Sequence, residues 1–258
     1  MHYLVFRLYG PLASWGEIAV GESRHTAVYP GKSALVGLLG AALGIKRDDD
    51  KAQPLLTDGY RFAVKLLSSG HLLKDYHTVQ APDSVGKFKY RTRRDALVQG
   101  KDRLGTILSS REYRTDAQAV VAVASTGAPQ WSLEQLLQAL KTPKFYLYLG
   151  RKSCPLAAPL NAQIIEADNF RMALNDYQPG ALLIDQPQWH QDDRFLPKDA
   201  ICRYFWEGAV TDFSAESDGF DASQVQQLTR HDQPLSRPRW QFQPRLENHW
   251  MIDNKGGD

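Results

Sequence analysis

The chain opens on an almost unbroken apolar stretch, Tyr3 to Leu8, rich in Val, Phe and Tyr, which predicts a strand closed by Gly10 and Pro11. Leu12 to Pro30 keeps no period and is broken by Gly16, Gly21 and Pro30, the mark of an ordered loop. The period then becomes helical. Leu35, Leu38, Leu39, Ala42 and Leu43 share one face, with Ser33 as the expected N-cap and Gly44 just past the end. Gly37 and Gly40 cost this helix about 1 kcal/mol each relative to Ala. Their three-residue spacing therefore predicts a close approach along one side. Asp48, Asp49 and Asp50 read as the cap of a short following helix rather than as metal ligands.

Arg61 to Leu67 and Ala117 to Ala124 are the next strands. Ser132 and Gln135 form a capping box ahead of the stripe Leu133, Leu136, Leu137 and Leu140, and Pro143 stops that helix. Phe145 to Leu149 is expected as a fourth strand. The order strand, helix, strand, strand, helix, strand is that of a ferredoxin-like α+β body (βαββαβ). Residues 1–74 and 115–155 would form it, with 75–114 inserted as a β-hairpin thumb. Residues 156–258 would form a C-terminal β-rich extension packed on the body. Within the extension, Ile164-Ile165 and Ala181 to Ile184 are short strand candidates and Asp168 to Leu174 a short helix. Asp185 to Lys198 reads as a polar loop. Trp189, Trp206, Trp240 and Trp250 indicate that the extension is folded, without giving its topology.

Composition adds limits. With 258 residues, 43% hydrophobic and 23% charged, the chain falls in the ordinary globular range, which excludes wholesale disorder and collagen-like repeats. Two cysteines, Cys154 and Cys202, make neither a disulfide framework nor a zinc set, and point to a reducing compartment. The longest uncharged apolar run, Ala34 to Ile45, has 12 residues, short of the about 20 a membrane span needs. Arg7 interrupts the N-terminal apolar stretch and no cleavage-type site follows, so a cytoplasmic protein is expected.

Charge changes the picture. The net charge is only +2, yet Gly86 to Arg114 holds nine basic residues against three acids, a surplus of six that leaves the rest of the chain at minus four. Interleaved with Phe88, Tyr90 and Tyr113, such an arm points to a polyanion, because each phosphate neutralised releases counterions. A solvated charged loop is the plainer reading of a basic run in general.

Three motifs bear on chemistry. Pro30-Gly-Lys-Ser33 resembles the end of a phosphate-binding loop, but the glycine needed five residues before Gly31 is Thr26. A nucleotide-hydrolysing reading is poor; a single phosphate at a helix start, or a plain N-cap, remains. His77 follows Tyr76 near Lys74, a set that could cleave RNA without metal if it converged. Packing or simple RNA contact is the alternative. Tyr146 and Tyr148 alternate ahead of Arg151, Lys152 and Ser153. They are either a base-stacking sheet face with phosphate ligands, or two core tyrosines before a charged turn. No metal ligand set or cofactor motif is present.

Several ordered stretches together resemble a known family. They are Leu8 to Gly16 (Leu-Tyr-Gly-Pro-Leu-Ala-Ser-Trp-Gly), Arg24-His-Thr with Tyr29 to Ser33, Gly37 to Ile45, Arg47-Asp-Asp49, Asp75 to Val79 and Tyr148 to Leu156. Fainter echoes lie at Arg230 to Pro234 and Lys255 to Gly257. They resemble the fifth CRISPR-associated (Cas) family in its type I-E, CasD form, within the RAMP superfamily. The resemblance implies an RRM-like body with a hairpin thumb, in a non-catalytic subunit of a Cascade ribonucleoprotein complex serving antiviral defence. It implies partners: the 5′ handle of the CRISPR RNA (crRNA), a CasC-type backbone subunit, a CasA-type large subunit, and target DNA through the assembled complex. No membrane partner or cofactor is implied. The expected RNA contacts are Arg24, His25, Lys32, Ser33, Tyr146, Tyr148, Arg151, Lys152 and Ser153 on the body, with Arg91, Arg93, Arg94, Arg111 and Tyr113 on the thumb. In the related type I-C form the family cleaves precursor RNA, so a metal-independent endoribonuclease using Tyr76 and His77 stands as the alternative. A scaffold whose thumb meets only an acidic subunit is the third.

Overall fold

A computed structural model describes residues 1–19, 21–83, 86, 89–182, 195–196, 198–214, 219–237 and 239–253. The elements are β1 (His2–Tyr9), β2 (Leu12–Ala13), β3 (Trp15–Gly16), β4 (Ser23–Arg24), β5 (Thr26–Ala27), α1 (Lys32–Leu43), α2 (Ala52–Asp58), β6 (Tyr60–Ser68) and β7 (His71–Pro82). There follow α3 (Arg93–Val98), β8 (Leu104–Thr115), β9 (Gln118–Ser125), α4 (Leu133–Lys141), β10 (Gln163–Glu166), α5 (Phe170–Asp176), β11 (Ile201–Trp206), β12 (Gln226–Ser236) and β13 (Gln241–Asp253). The protein is a mixed α/β fold dominated by strands. Among the described residues no helix is long and apolar enough to cross a membrane.

One seven-stranded sheet organises the molecule, in the order β10-β1-β9-β6-β11-β13-β12. Each neighbouring pair runs antiparallel. β1 lies second in this order, between β10 and β9, and is covered on both faces. Leu4, Phe6 and Leu8 pack with α1 and α4, while Tyr3 and Val5 pack with Phe170, Trp206 and Trp250. A strand buried on both faces needs apolar residues at every position, which is why its sequence reads as a run and not an alternation. Each fully buried side chain of this kind contributes about 1.5–3 kcal/mol. Arg7, the polar exception, is satisfied in place by donating to the carbonyls of Pro159, Gly180 and Ala181.

Several expectations are met by local chemistry. Ser132 and Gln135 close their capping box on α4. The Asp49 carboxylate accepts from the N–H groups of Lys51 and Ala52 at the start of α2. β7 and β8 pair along their whole length, from His71 opposite Thr115 to Pro82 opposite Leu104, as one long hairpin.

Other expectations are corrected. Phe145 to Leu149 is not a strand; only Tyr148 makes an isolated bridge, to Pro155. The N–H groups of Lys144 and Phe145 instead bond the carbonyls of Ala42 and Ala41 at the end of α1. The strand beside β1 is β10, from beyond residue 156. Residues past 156 supply four of the seven strands. The N-cap of α1 is Gly31, not Ser33. Strand alternation over 87–91 is absent at Lys89, Tyr90 and Arg91, and Lys87 and Phe88 lie outside the described residues. Ala181 and Leu182 are not in a strand, while 183–184, Trp189, most of the 185–198 loop and Lys255 to Gly257 lie outside them too.

Candidate nucleic-acid interface

A groove of about 1410 Å³ runs between the exposed side of α1, the 144–155 segment and the β12–β13 hairpin. Six Lys and Arg residues line it against three acids. Glycine spacing on α1 explains part of its shape. A Cβ on Gly37 would lie 3.3 Å from Arg237 Nη2, so the missing side chain lets Arg237 approach the helix and donate to the Ser33 carbonyl. Burial lowers the pKa of Arg237, and neighbouring Arg47 pushes it the same way. The Arg47 guanidinium lies over the Trp240 ring, 4.1 Å from its centroid. Arg230 covers Tyr29 at 4.8 Å and reaches Glu17 at 3.9 Å.

Tyr146 and Lys152 are exposed in this groove; Tyr146, at 95%, is almost free of the protein. Tyr148 lines the groove half-buried. The two tyrosines do not share a sheet face, since their segment is not a strand. Ser153 is exposed, its hydroxyl 3.9 Å from the Cys154 sulfur.

Lys32 and Ser33 do not form a phosphate cradle. Lys32 is 6% exposed and its Nζ lies 2.8 Å from Glu207 Oε2. Asp232 already occupies the start of α1, its Oδ2 accepting from the Lys32 N–H at 2.8 Å. That carboxylate is held in turn by Arg245, at 2.6 and 3.0 Å. Burial pushes the Asp232 carboxyl up, yet the Arg245 hydrogen bond and charge hold it below its ordinary range. Glu207 is displaced the other way: burial raises it, and Lys32 and Arg245 only partly oppose this. An incoming phosphate would meet three carboxylates here, Glu207, Asp232 and Glu247.

The base of the β7–β8 hairpin is the second basic region. β4 runs parallel to β8 with Arg24 beside Arg111, both exposed. His25 turns to Glu112, Nδ1 to Oε1 at 3.1 Å. For Glu112, burial raises the pKa, but the His25 and Thr26 hydrogen bonds lower it overall. Tyr113 is buried, and Arg151 lies over its ring at 5.2 Å, so this pair joins the hairpin to the 144–155 segment. Tyr113 is therefore a packing residue and not an exposed stacking one. Toward the tip, Arg93 donates to the Gln80 carbonyl, and Arg91 and Arg94 are exposed. Among the described residues Lys89, Arg91, Arg94, Lys101, Arg103 and Arg111 form no ion pair within the chain.

Tyr76 and His77 are exposed neighbours on β7, opposite Ser110 and Ser109. Adjacent strand residues face opposite ways, so Lys74 and Tyr76 share one face while His77 lies on the other. The expected Tyr, Lys and His set does not converge.

Sequence reasoning missed Arg47, Lys144, Arg237 and Trp240 as groove residues. Arg230 to Pro234 was visible only as a family echo. The usable signal was a tryptophan preceded by two arginines, Arg237 and Arg239 before Trp240.

Comparisons with known proteins give the family and the fold. Residues 3–246 match the family described as CRISPR-associated protein (Cas_Cas5). A curated relative, the CRISPR system Cascade subunit CasD of Escherichia coli (strain K12), is 36% identical over 185 residues, which are 69% of this chain and 77% of the relative. A solved chain from a CRISPR RNA-guided surveillance complex has the same fold at TM-score 0.62 and 21% identity, over 97% of this chain and 89% of that one. A second, described as a Cas protein, gives TM-score 0.55 at 24% identity over 98% and 96%.

Proposed function

The chain belongs to the CRISPR-associated protein (Cas_Cas5) family, and from that premise we propose that it is a non-catalytic, RNA-holding subunit of a type I-E Cascade complex. It grips the 5′ handle of crRNA and caps the foot of a CasC-type backbone beside a CasA-type subunit. It meets target DNA only through the assembled particle. The strand order β10-β1-β9-β6 supports a ferredoxin-like, RRM-like body, being fourth-first-third-second in body numbering. The 75–114 hairpin is its thumb.

The observation that carries this reading is the row of cations without acidic partners. Arg24 and Arg111 stand side by side at the hairpin base, and Arg91, Arg94, Lys101 and Arg103 continue toward the tip. Among the described residues none of these cations has an acidic partner within 4.0 Å. Phosphates are the natural complement. The endoribonuclease alternative has less support, because Tyr76 and His77 lie on opposite faces of β7.

The test is RNA binding by the full chain across a salt series. Arg24→Ala with Arg111→Ala should weaken binding and flatten the slope of log K against log salt by about 0.7 per lost phosphate contact. An unchanged slope and affinity removes both residues from the interface. Cleavage of repeat RNA in EDTA, abolished by His77→Ala, would replace the holding role with the catalytic one.

A further inference from the structure

Trp240 sits where a tryptophan is costly. It ends the turn between β12 and β13 with φ of +53°, in the left-handed region. L-residues with a bulky side chain avoid that region, and Gly or Asn enters it readily. The ring is nevertheless 58% exposed, so the strain is not compensated by burial. One face of the ring is covered by Arg47 at 4.1 Å. The ring borders the 1410 Å³ groove, which Arg237, Lys152 and the almost fully exposed Tyr146 also line. Among the described residues Arg237 forms no ion pair; its Nη2 donates to the Ser33 carbonyl, while its buried Nε has no hydrogen-bond acceptor. A strained exposed aromatic, braced by a cation and next to an arginine with no acidic partner among the described residues, is an outlier that calls for a ligand.

We propose that this corner of the groove is a nucleotide subsite for single-stranded RNA. One unstacked base lies on the open side of Trp240, and the adjoining phosphate is drawn to Arg237 and Lys152. The base supplies a π-face to the indole, and Arg47 behind it fixes the ring's orientation. The phosphate supplies the counter-charge that Arg237 lacks among the described residues. The inference rests on the RNA-holding function, to which it adds a stacking residue and a phosphate ligand from the C-terminal hairpin.

The experiment measures affinity of the full chain for a labelled mixed-sequence RNA of about eight nucleotides, within the site sizes of single-strand binders. Trp240→Gly removes the ring and relieves the left-handed strain. Its affinity should fall about 5- to 150-fold, the range for one stacked base, while the melting temperature holds or rises. Trp240→Phe should restore most of the affinity. Arg237→Lys should weaken binding and move the salt slope less than Arg237→Gln, which should lower it by about 0.7. Photocrosslinking of wild-type protein to 4-thiouridine RNA should yield an adduct on the peptide carrying Trp240.

Trp240→Gly binding as tightly as wild type overturns the proposal, and points to a structural staple or a contact for a neighbouring protein. So does an adduct map with RNA elsewhere and none near Arg47 or Trp240. Wild-type protein that fails to bind the RNA at all defeats the RNA-holding function itself. Binding that persists in Trp240→Gly and is lost in Arg24→Ala with Arg111→Ala defeats only this subsite.

Discussion

Arg245→Met offers the sharpest test of how the groove is held together. The Arg245 side chain is 7% exposed and holds Asp232 at 2.6 Å, Glu247 at 2.6 Å and Glu207 at 3.7 Å. Tyr29 donates to the far oxygen of Glu247, and Asp232 caps α1, so one guanidinium ties the β12–β13 hairpin to the body. Removing it leaves buried carboxylates unpaired, a change that costs about 3–5 kcal/mol. For a chain of this size that lowers the melting temperature by about 6–20 °C. The pH dependence is distinctive. In the wild type, Asp232 is held below its ordinary range, so its contribution is present above the unfolded carboxylate pKa, about 3.9, and is lost only as pH falls through the lower folded value. Without Arg245, burial dominates and the folded pKa moves above the unfolded one. The variant's stability is then lost as pH rises through that raised value. The gap between wild type and variant should therefore widen from about pH 4 to pH 7. Urea denaturation at both pH values measures it. The triple change Arg245→Met, Asp232→Asn, Glu247→Gln should recover most of the loss, because the cost lies in charge left unpaired. A deficit below about 1 kcal/mol, or one equal at both pH values, would refute the assignment of these groups as a coupled buried network.

Lys32→Met should act on stability and not on RNA. It takes from the buried Glu207 carboxylate its nearer cation and leaves only Arg245 at 3.7 Å, a loss of about 3–5 kcal/mol, while the salt slope of RNA binding measured well below the melting temperature stays at the wild-type value. A reduced slope would return Lys32 to the phosphate contacts. Gly150→Ala should disturb the groove through the backbone. At φ of +84° an added Cβ would lie 1.8 Å from the Ser14 carbonyl oxygen, so the 148–155 segment must shift. We expect about 1–3 kcal/mol of destabilisation, read by thermal melting, together with weaker RNA binding.

The sequence was informative where structure is decided within a few residues. The Ser132–Gln135 cap needs only the first turn of α4. The run in β1 and the stripe on α1 report burial directly, and the basic surplus of residues 86–114 needs no partner to be seen. The failures share one physical cause. Tyr146 and Tyr148 alternate as strand residues do, but their segment spends its N–H groups on the end of α1, about a hundred positions earlier. Lys32 looked like a phosphate ligand because its immediate neighbours are Gly31 and Ser33. Its partner Glu207 lies 175 positions away, and Asp232, which fills the helix start, lies 200 away.

Those long-range contacts also change how the Gly-Lys-Ser stretch should be understood. A helix N-terminus followed by lysine attracts an anion by its dipole and its free N–H groups. The chain provides that anion itself, in Asp232 from the far hairpin, and Glu207 neutralises the ammonium. The electrostatic preference read from the sequence is real, but it is met within the fold. The site thereby becomes the clasp that holds β12 and β13 against α1. Two of the groove's six cations, Arg230 and Arg237, depend on that clasp for their place, because both ride on the clasped hairpin. A loss of RNA affinity on breaking the clasp would thus be indirect. Its mark would be a simultaneous fall in melting temperature, whereas Arg24→Ala with Arg111→Ala, at exposed positions, should weaken binding and leave the melting temperature in place.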